Sequence, residues 1–476
     1  MILKHTKIVC TIGPSSCSYE RLTQLVEAGM DVCRLNFSHG TYDAFAEWIR
    51  LIRKVSKTLG KPIAILQDLQ GPKIRVGDLP KEGVTLKTGE EIIFTTGKAK
   101  IPTKLPVTYP LLHKDVRVGQ QILLDDGLLS VEVLKVRGED VVCRITQGGL
   151  LTSHKGLNLP ETKTTISAIS DKDKADLRFW IEQGVDWVAL SFVRSAEDLR
   201  ELRRLIQRYE KELGVEVEAP LKIIAKVEKP EAVEAMDEIV AEADGIMVAR
   251  GDLGIEIAAS KVPIVQKQLI QACLEAGKPV IVATQMLDSM IRNPRATRAE
   301  VSDIANAVID STDATMLSGE TATGAFPIEA VQTMSAAILE VEHAFSADTD
   351  AHLHVTASTQ EAMTNISVLL ARARNAKAIL VSSLSGRAAR LVSRERPEVT
   401  IYVASSIERV VRQLALSRGV VPLYIPSCRR MRDLIDRSFA MILKQGVLKS
   451  GDEIVIVAGE PLGESGNVNL VEVRKL

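Results

Sequence analysis

Short runs of β-branched and other apolar residues alternate with stretches of helical periodicity through much of the first three-quarters of the chain. The runs are Lys7–Ile12, Asp31–Phe37, Ile63–Asp68, Trp187–Phe192, Leu221–Val227, Gly245–Ala249, Pro279–Thr284 and Ala314–Ser318. Each is nearly unbroken in apolar character, the pattern of a parallel strand covered on both faces. The stretch between the first two reads as a helix. Ser18 can cap it, Glu20 suits its first turn, Leu22, Leu25 and Val26 recur at helical spacing, and Gly29 can end it. After Pro294, Thr297-Arg-Ala-Glu300 has the form of a capping box. Eight strands with intervening helices predict an α/β fold, a (β/α)8 barrel of the TIM type. An open eight-stranded sheet is the competing arrangement, since periodicity does not report closure.

The rhythm breaks between about Gly71 and Ser167, where alternating strands with tight turns take over: Glu91–Thr95, Gln121–Leu124, Ser130–Val136 and Val141–Ile145. Asp126-Gly127 and Gly138-Glu139-Asp140 supply turn signals. This predicts a small all-β domain, a β-barrel lid over residues 71–166, inserted after the third barrel strand. The barrel then comprises residues 1–70 and 167–341. An insertion at that end of a strand lies over the face where such barrels carry their sites. Residues 342–360 read as a connector into a C-terminal α/β domain, 342–476. Its strands are expected at Ala378–Ser382, Thr400–Ala404, Val421–Ile425, Glu453–Ala458 and Val468–Val473.

Composition narrows the partners. The 476 residues are 46% hydrophobic and 25% charged, with a net charge of −1, so no nucleic acid and no membrane is expected as the main partner. No apolar run reaches the roughly 18 residues of a membrane span. The six cysteines, Cys10, Cys17, Cys33, Cys143, Cys273 and Cys428, form no CxxC pair, which points to reduced thiols. Met1–Cys10 lacks a leader-like apolar run. A cytoplasmic location is therefore expected.

Polar residues gather at the predicted strand ends. In a strand, i, i+2 and i+4 point the same way. Arg34, Asn36 and Ser38 share a face after the second strand, Lys226 and Glu228 after the fifth, Arg250 and Asp252 after the sixth. Asp68, Thr284 and Ser318 occupy the comparable ends of the third, seventh and eighth. A polar core layer explains any one of these; the set points to a site at the C-terminal end of the barrel. Glu228 and Asp252 suit a hard divalent cation such as Mg²⁺. Arg34, Arg75 and Lys226 suit phosphoryl oxygens. Gly251, before Asp252-Leu-Gly254, offers backbone N–H groups to an anion. Together these describe phosphoryl transfer, in which positioning and charge neutralisation carry the catalysis. A metal-dependent enolate lyase or aldolase shares the carboxylates but needs fewer cations. The chain has no GxxxxGK[ST], GxGxxG, GxSxG or HExxH sequence.

Seven segments, in order, resemble the signatures of the pyruvate kinase family: Thr6–Pro14, Arg34–Gly40, Asp68–Arg75, Ile224–Glu228, Met247–Glu256, Ala283–Leu287 and Met316–Thr321. The likeness runs nearly end to end. It implies phosphoenolpyruvate and ADP/ATP as substrates, Mg²⁺ (or Mn²⁺) on Glu228 and Asp252, and a homotetramer. Lys226 would lie on the transferring phosphoryl group and the enolate oxygen. Gly251, Asp252 and Thr284 would cradle the substrate carboxylate, and Thr284 and Ser318 would flank the carbon that takes a proton. Arg34 and Arg75 would meet the phosphoryl group and nucleotide phosphates, with His39 and Lys155 beside the nucleotide. Intact Lys226, Glu228, Asp252 and Thr284 argue against a catalytically inactive metabolite sensor.

Two departures refine the expectation. Many family members that need K⁺ carry Glu where this chain has Lys73; Asn36, Ser38, Asp68 and the carbonyl of Leu69 would hold that ion. The Lys73 ammonium would supply the charge instead, so K⁺ is expected not to be required. In the C-terminal domain, Ser382-Ser-Leu-Ser-Gly-Arg387 resembles the family's effector-phosphate loop, so Ser382, Ser383, Ser385, Gly386 and Arg387 are the expected ligands. Ala388 stands where a Ser or Thr is usual. Activation by a sugar monophosphate or AMP, rather than fructose 1,6-bisphosphate, is the expectation.

Overall fold

The computed structural model describes residues 4–37, 40–162, 164–215, 219–345, 358–464 and 466–476. The apolar runs become strands β1 (Lys7–Thr11), β2 (Val32–Asn36) and β3 (Ala64–Asp68). The inserted segment follows with β4 (Val84–Leu86), β5 (Glu91–Thr95), β6 (Lys104–Pro106), β7 (Gln121–Leu124), β8 (Leu129–Arg137), β9 (Asp140–Gln147), β10 (Gly149–Leu151) and β11 (Leu157–Asn158). The barrel resumes with β12 (Trp187–Leu190), β13 (Lys222–Val227), β14 (Gly245–Ala249), β15 (Val280–Ala283) and β16 (Ala314–Leu317). These eight close in the order β1-β16-β15-β14-β13-β12-β3-β2, which decides against the open sheet.

Strand alternation sorts the core into two layers. Val9, Val32, Leu66, Trp187, Ile224, Met247 and Ile281 fill the barrel interior. Ile8, Cys33, Ile65, Val188, Ile223, Val248 and Val282 face the helices outside. Ser18 accepts from the Arg21 N–H at the start of Tyr19–Ala28, and Gly29 (φ 127°) ends that helix. Thr297 and Glu300 form the expected capping box.

In the insertion, one six-stranded sheet (β11-β7-β8-β9-β5-β6) and the pair β10-β4 enclose a single core around Phe94, Leu105, Ile122 and Val131. Its segments of entry and return are pinned to the barrel. The Gly71 N–H donates to Asp173 at 3.2 Å, and Arg194 donates to the Thr164 and Ile166 carbonyls.

The helix Pro327–Ala344 runs past the expected barrel limit at 341, and the next helix begins at Thr359. Most of the expected connector, 346–357, lies outside the described residues. Strands β17 (Ala378–Ser382), β18 (Thr400–Ser405), β19 (Val420–Tyr424), β20 (Glu453–Ala458) and β21 (Leu470–Lys475) form the last sheet, ordered β19-β18-β17-β20-β21. This domain plugs the bottom of the barrel. Ala415 and Leu416 join the interior cluster, and Trp187 donates to the Gln413 carbonyl at 3.3 Å. Buried carboxylates of the barrel hold its arginines: Asp186 pairs with Arg412, and Asp313 with Arg396.

Candidate functional site

Four charged side chains meet at the C-terminal mouth of the barrel because inward-facing positions continue past the apolar layer. The inward row of β2 runs through Arg34 to Asn36, that of β3 ends in Asp68, and that of β13 continues through Lys226 to Glu228. Arg34 holds Asp68 Oδ2 through Nε (2.7 Å) and Nη2 (2.6 Å), and donates to Thr11 Oγ1 at 2.8 Å. The Lys226 ammonium lies 2.8 Å from Glu228 Oε1 and 3.4 Å from Asp68 Oδ1. All four are buried, Glu228 completely. Burial alone pulls the Lys226 ammonium down, but Asp68 and Glu228, with Asp252 beyond them, reverse this and leave it above the ordinary lysine value. Burial pushes Asp68 up, and Lys226 and Arg34 outweigh it, so its carboxyl sits below the usual range. Glu228 is the opposite case. Burial dominates Lys226's attraction and raises its carboxyl, a desolvated oxygen donor that a further cation would relieve.

Two residues of the β12 end complete this cluster, and sequence reading missed both. Ser191 Oγ accepts from Lys226 Nζ at 2.8 Å and donates to the Leu69 carbonyl at 2.6 Å. Phe192, at φ 55°, turns its N–H onto Glu228 Oε2 at 2.8 Å. A hydroxyl at the C-terminal end of the fourth strand was the available signal, since every other polar strand end from the second to the eighth had been noted.

The sixth strand end behaves differently from the alternation rule. β14 stops at Ala249 and residues Arg250–Glu256 are helical, so Arg250 and Asp252 do not share a strand face. Arg250 turns to Asp303, with contacts of 2.7 and 2.6 Å, and donates to the Thr284 carbonyl at 2.8 Å. It fixes Thr284, which has φ 77°, rare for a β-branched residue; Gln285 follows at φ 57°. Gly251 lies so close that a Cβ there would stand 2.6 Å from Thr284 Cγ2. Ser318 is fixed through its N–H, which donates to Glu320 Oε2 at 2.7 Å, while Glu320 Oε1 accepts from the Leu287 N–H. The structure thus groups Gly251 and Thr284 at one wall, with Asp252 beside them and Ser318 on the next strand.

The remaining expected residues lie around this cluster. Asn36 is half-buried at the end of β2; Ser38 and His39 fall outside the described residues. Lys73 is exposed in a crevice between insertion and barrel that Arg194 and Lys229 also line. Arg75 donates to the His154 carbonyl at 2.8 Å, and Lys155 pairs with Asp125 at 2.7 Å, so both belong to the base of the insertion rather than to the buried cluster. In the last domain Ser382, Ser383 and Ser385 line a shallow crevice with Ala388 and Asn467, and Gly386 (φ 74°) precedes the helix Arg387–Arg394. Arg387 reaches toward Glu361 at 3.9 Å.

Among the described residues no group of three or more His, Cys, Asp or Glu is placed to hold a metal unaided. Glu228 and Asp252 alone fit Mg²⁺, which keeps waters and substrate oxygens beside one or two carboxylates.

A family model described as "Pyruvate kinase, barrel domain" matches residues 3–331, and one described as "Pyruvate kinase, alpha/beta domain" matches 361–474. Pyruvate kinase of Geobacillus stearothermophilus is 44% identical over 482 residues, covering 99% of this chain and 80% of that protein. The Bacillus licheniformis enzyme is 42% identical over 481 residues, with the same shares covered. The crystal structure of a pyruvate kinase from Cryptosporidium parvum superposes with a TM-score of 0.91 at 36% identity, covering 99% of this chain and 96% of that one.

Proposed function

The chain belongs to the pyruvate kinase family and is a phosphotransferase, and from that footing we propose that it moves the phosphoryl group of phosphoenolpyruvate to ADP, giving pyruvate and ATP. The observation that carries the reading is the buried cluster of Arg34, Asp68, Lys226 and Glu228 at the barrel mouth, beside strand ends that bring Gly251 against Thr284. It concentrates two permanent cations and two acids where an anionic substrate loses a phosphoryl group.

In this reading Glu228 and Asp252 would hold Mg²⁺, or Mn²⁺, which would supply charge neutralisation to an anionic substrate. Lys226, kept charged by its acidic neighbours, stabilises the phosphoryl group in flight and the enolate oxygen left behind. Arg34 meets the same phosphoryl oxygens. The N–H groups of Gly251 and Asp252 and the Thr284 hydroxyl orient the substrate carboxylate. Thr284 and Ser318 flank the carbon that receives a proton. His39, Arg75 and Lys155 engage the nucleotide as residues 71–166 cap the barrel formed by 1–70 and 167–341. Lys155 then exchanges Asp125 for phosphate.

The finer proposals concern ions and regulation. Asn36, Ser38, Asp68 and the Leu69 carbonyl form the K⁺-site equivalent, and Lys73 makes K⁺ unnecessary. Lys73→Glu should create K⁺ dependence in a coupled assay; turnover of the variant that stays indifferent to K⁺ would refute this. Residues 342–476 bind a phosphorylated effector at Ser382, Ser383, Ser385, Gly386 and Arg387 and assemble a homotetramer. A sugar monophosphate or AMP should raise velocity at low phosphoenolpyruvate, and Arg387→Ala should remove the effect; a flat response of the parent to both classes would refute it. Among the described residues no helix is long and apolar enough to cross a membrane; the proposed setting is the cytoplasm.

A further inference from the structure

Glu256 closes the helix Arg250–Glu256, and its side chain is 1% exposed. A carboxylate is costly to bury unless it is paired, so its partners explain its position. One of its oxygens, Oε1, accepts from two groups at once. Asn158 Nδ2, at the end of lid strand β11, donates at 2.9 Å. Lys229 Nζ donates at 2.6 Å. Each partner belongs to a different part of the machine. Lys229 follows Glu228 directly in the chain, and Glu256 shares its helix with Gly251 and Asp252, four or five residues away. Asn158 ends the lid segment that also carries Lys155 and contributes the His154 carbonyl to Arg75.

A second part of the lid approaches the same helix. Asp125, Asp126 and Gly127 all have positive φ, and a Cβ added at Gly127 would meet Ile255 Cγ2 at 3.9 Å. Lid motion away from the barrel must break the Asn158 bond, whereas Lys229–Glu256 lies wholly within the barrel and survives.

We propose that Glu256 is a positioning residue and the latch of the lid: its carboxylate ties Asn158 to the helix and strand end that carry the two metal-binding carboxylates. Closure over a nucleotide and alignment of Glu228 with Asp252 are then one event. This rests on the reading of residues 71–166 as a lid over an ADP site. The latch itself needs only the contacts above.

The experiment uses the full chain with Asn158→Ala, Glu256→Ala, both together, and the swapped pair Asn158→Asp/Glu256→Gln. Backbone hydrogen exchange of lid residues, measured without substrates, is read beside kcat and KM for ADP and for phosphoenolpyruvate. A hydrogen bond to a buried carboxylate corresponds to about tenfold or more. Asn158→Ala should therefore speed exchange around residues 125–128 and 154–158 and raise KM for ADP by about tenfold, with KM for phosphoenolpyruvate changed much less. The double alanine variant should be no worse than the worse single, and the swapped pair, which inverts the hydrogen bond between the two positions, should recover most of the loss. Unchanged lid exchange in Asn158→Ala, or effects of the two alanines that simply multiply, would overturn the latch. If Glu256→Ala fails to fold, Asn158→Ala and the swapped pair decide alone. Loss of the phosphotransfer reading would show differently, as absent turnover in the parent, with the exchange experiment still deciding the latch.

Discussion

Replacing Gly251 with alanine separates stability from catalysis at the substrate wall. The added Cβ would lie 2.6 Å from Thr284 Cγ2, about 0.8 Å inside the 3.4 Å at which ordinary contact begins. Thr284 cannot yield freely, because Arg250, itself held by Asp303, donates to its carbonyl and its backbone already sits at φ 77°. Either its side chain rotates, moving the hydroxyl, or the helix start moves, shifting the Gly251 and Asp252 N–H groups. A misplacement of about 1 Å costs roughly 100-fold in rate, or about 3 kcal/mol of transition-state stabilisation. Overpacking there costs folding about 1–3 kcal/mol, offset in part by the preference of up to about 1 kcal/mol for alanine over glycine in a helix. The assay is steady-state pyruvate formation with varied phosphoenolpyruvate, beside a thermal melt. We expect kcat/KM to fall about 100-fold at a slightly lower melting temperature. Thr284→Ser, which removes the clashing methyl and keeps the hydroxyl, should restore most of the loss in the double variant. Activity of Gly251→Ala within about threefold of the parent would refute the packing argument, because no such tolerance is compatible with a rigid contact that close.

Other consequences concern the joint between barrel and C-terminal domain. His5, whose backbone N–H is held by Glu342, has its imidazole pushed down to about 4 by burial and by Arg418, with Lys7 and Arg396 adding to the effect. A depressed value means protonation favours unfolding, so this contribution is full above about pH 6.5 and is lost as pH falls toward 4. His5→Asn should flatten the denaturant midpoint across that window, and an unaltered slope would contradict the assignment. Arg396, 4% exposed, donates to Asp313 Oδ2 at 3.0 Å and to the Ser311 carbonyl at 2.9 Å. Arg396→Ala strands a buried carboxylate and should cost about 3–5 kcal/mol in urea unfolding; a loss under about 1 kcal/mol would show that Asp313's backbone donors suffice.

Much of this architecture could be read from the chain because buried parallel strands leave unbroken apolar runs. The eight barrel strands fall within a residue or two of those runs, and the inward rows that carry Arg34, Asp68 and Lys226–Glu228 follow from a period of two. The rule failed at Arg250, where the chain turns helical one residue after the strand, and periodicity carries no warning of a change that abrupt. The backbone conformations of Thr284 and Phe192 were hidden for another reason. Their left-handed backbones are imposed by tertiary contacts, and neither residue type signals such a conformation. Ser191 reaches Leu69 and Lys226, Glu320 reaches Leu287, and Glu256 reaches Asn158, across gaps of 33 to 122 residues, so these partners have no local signature. The plug formed by Ala415 and Leu416 is of the same kind: an apolar pair in the last domain that completes a core begun about 400 residues earlier.

The measurement closest to the central claim is pyruvate formation by the purified chain from phosphoenolpyruvate, ADP and Mg²⁺, with each component omitted in turn and K⁺ present or absent. The account predicts turnover that requires all three components, appears as ATP in equal amount to pyruvate, and does not need K⁺. Turnover only with K⁺ would contradict the role given to Lys73. Pyruvate released without ADP, or no turnover even with sugar monophosphates and AMP added, would contradict the phosphotransfer itself.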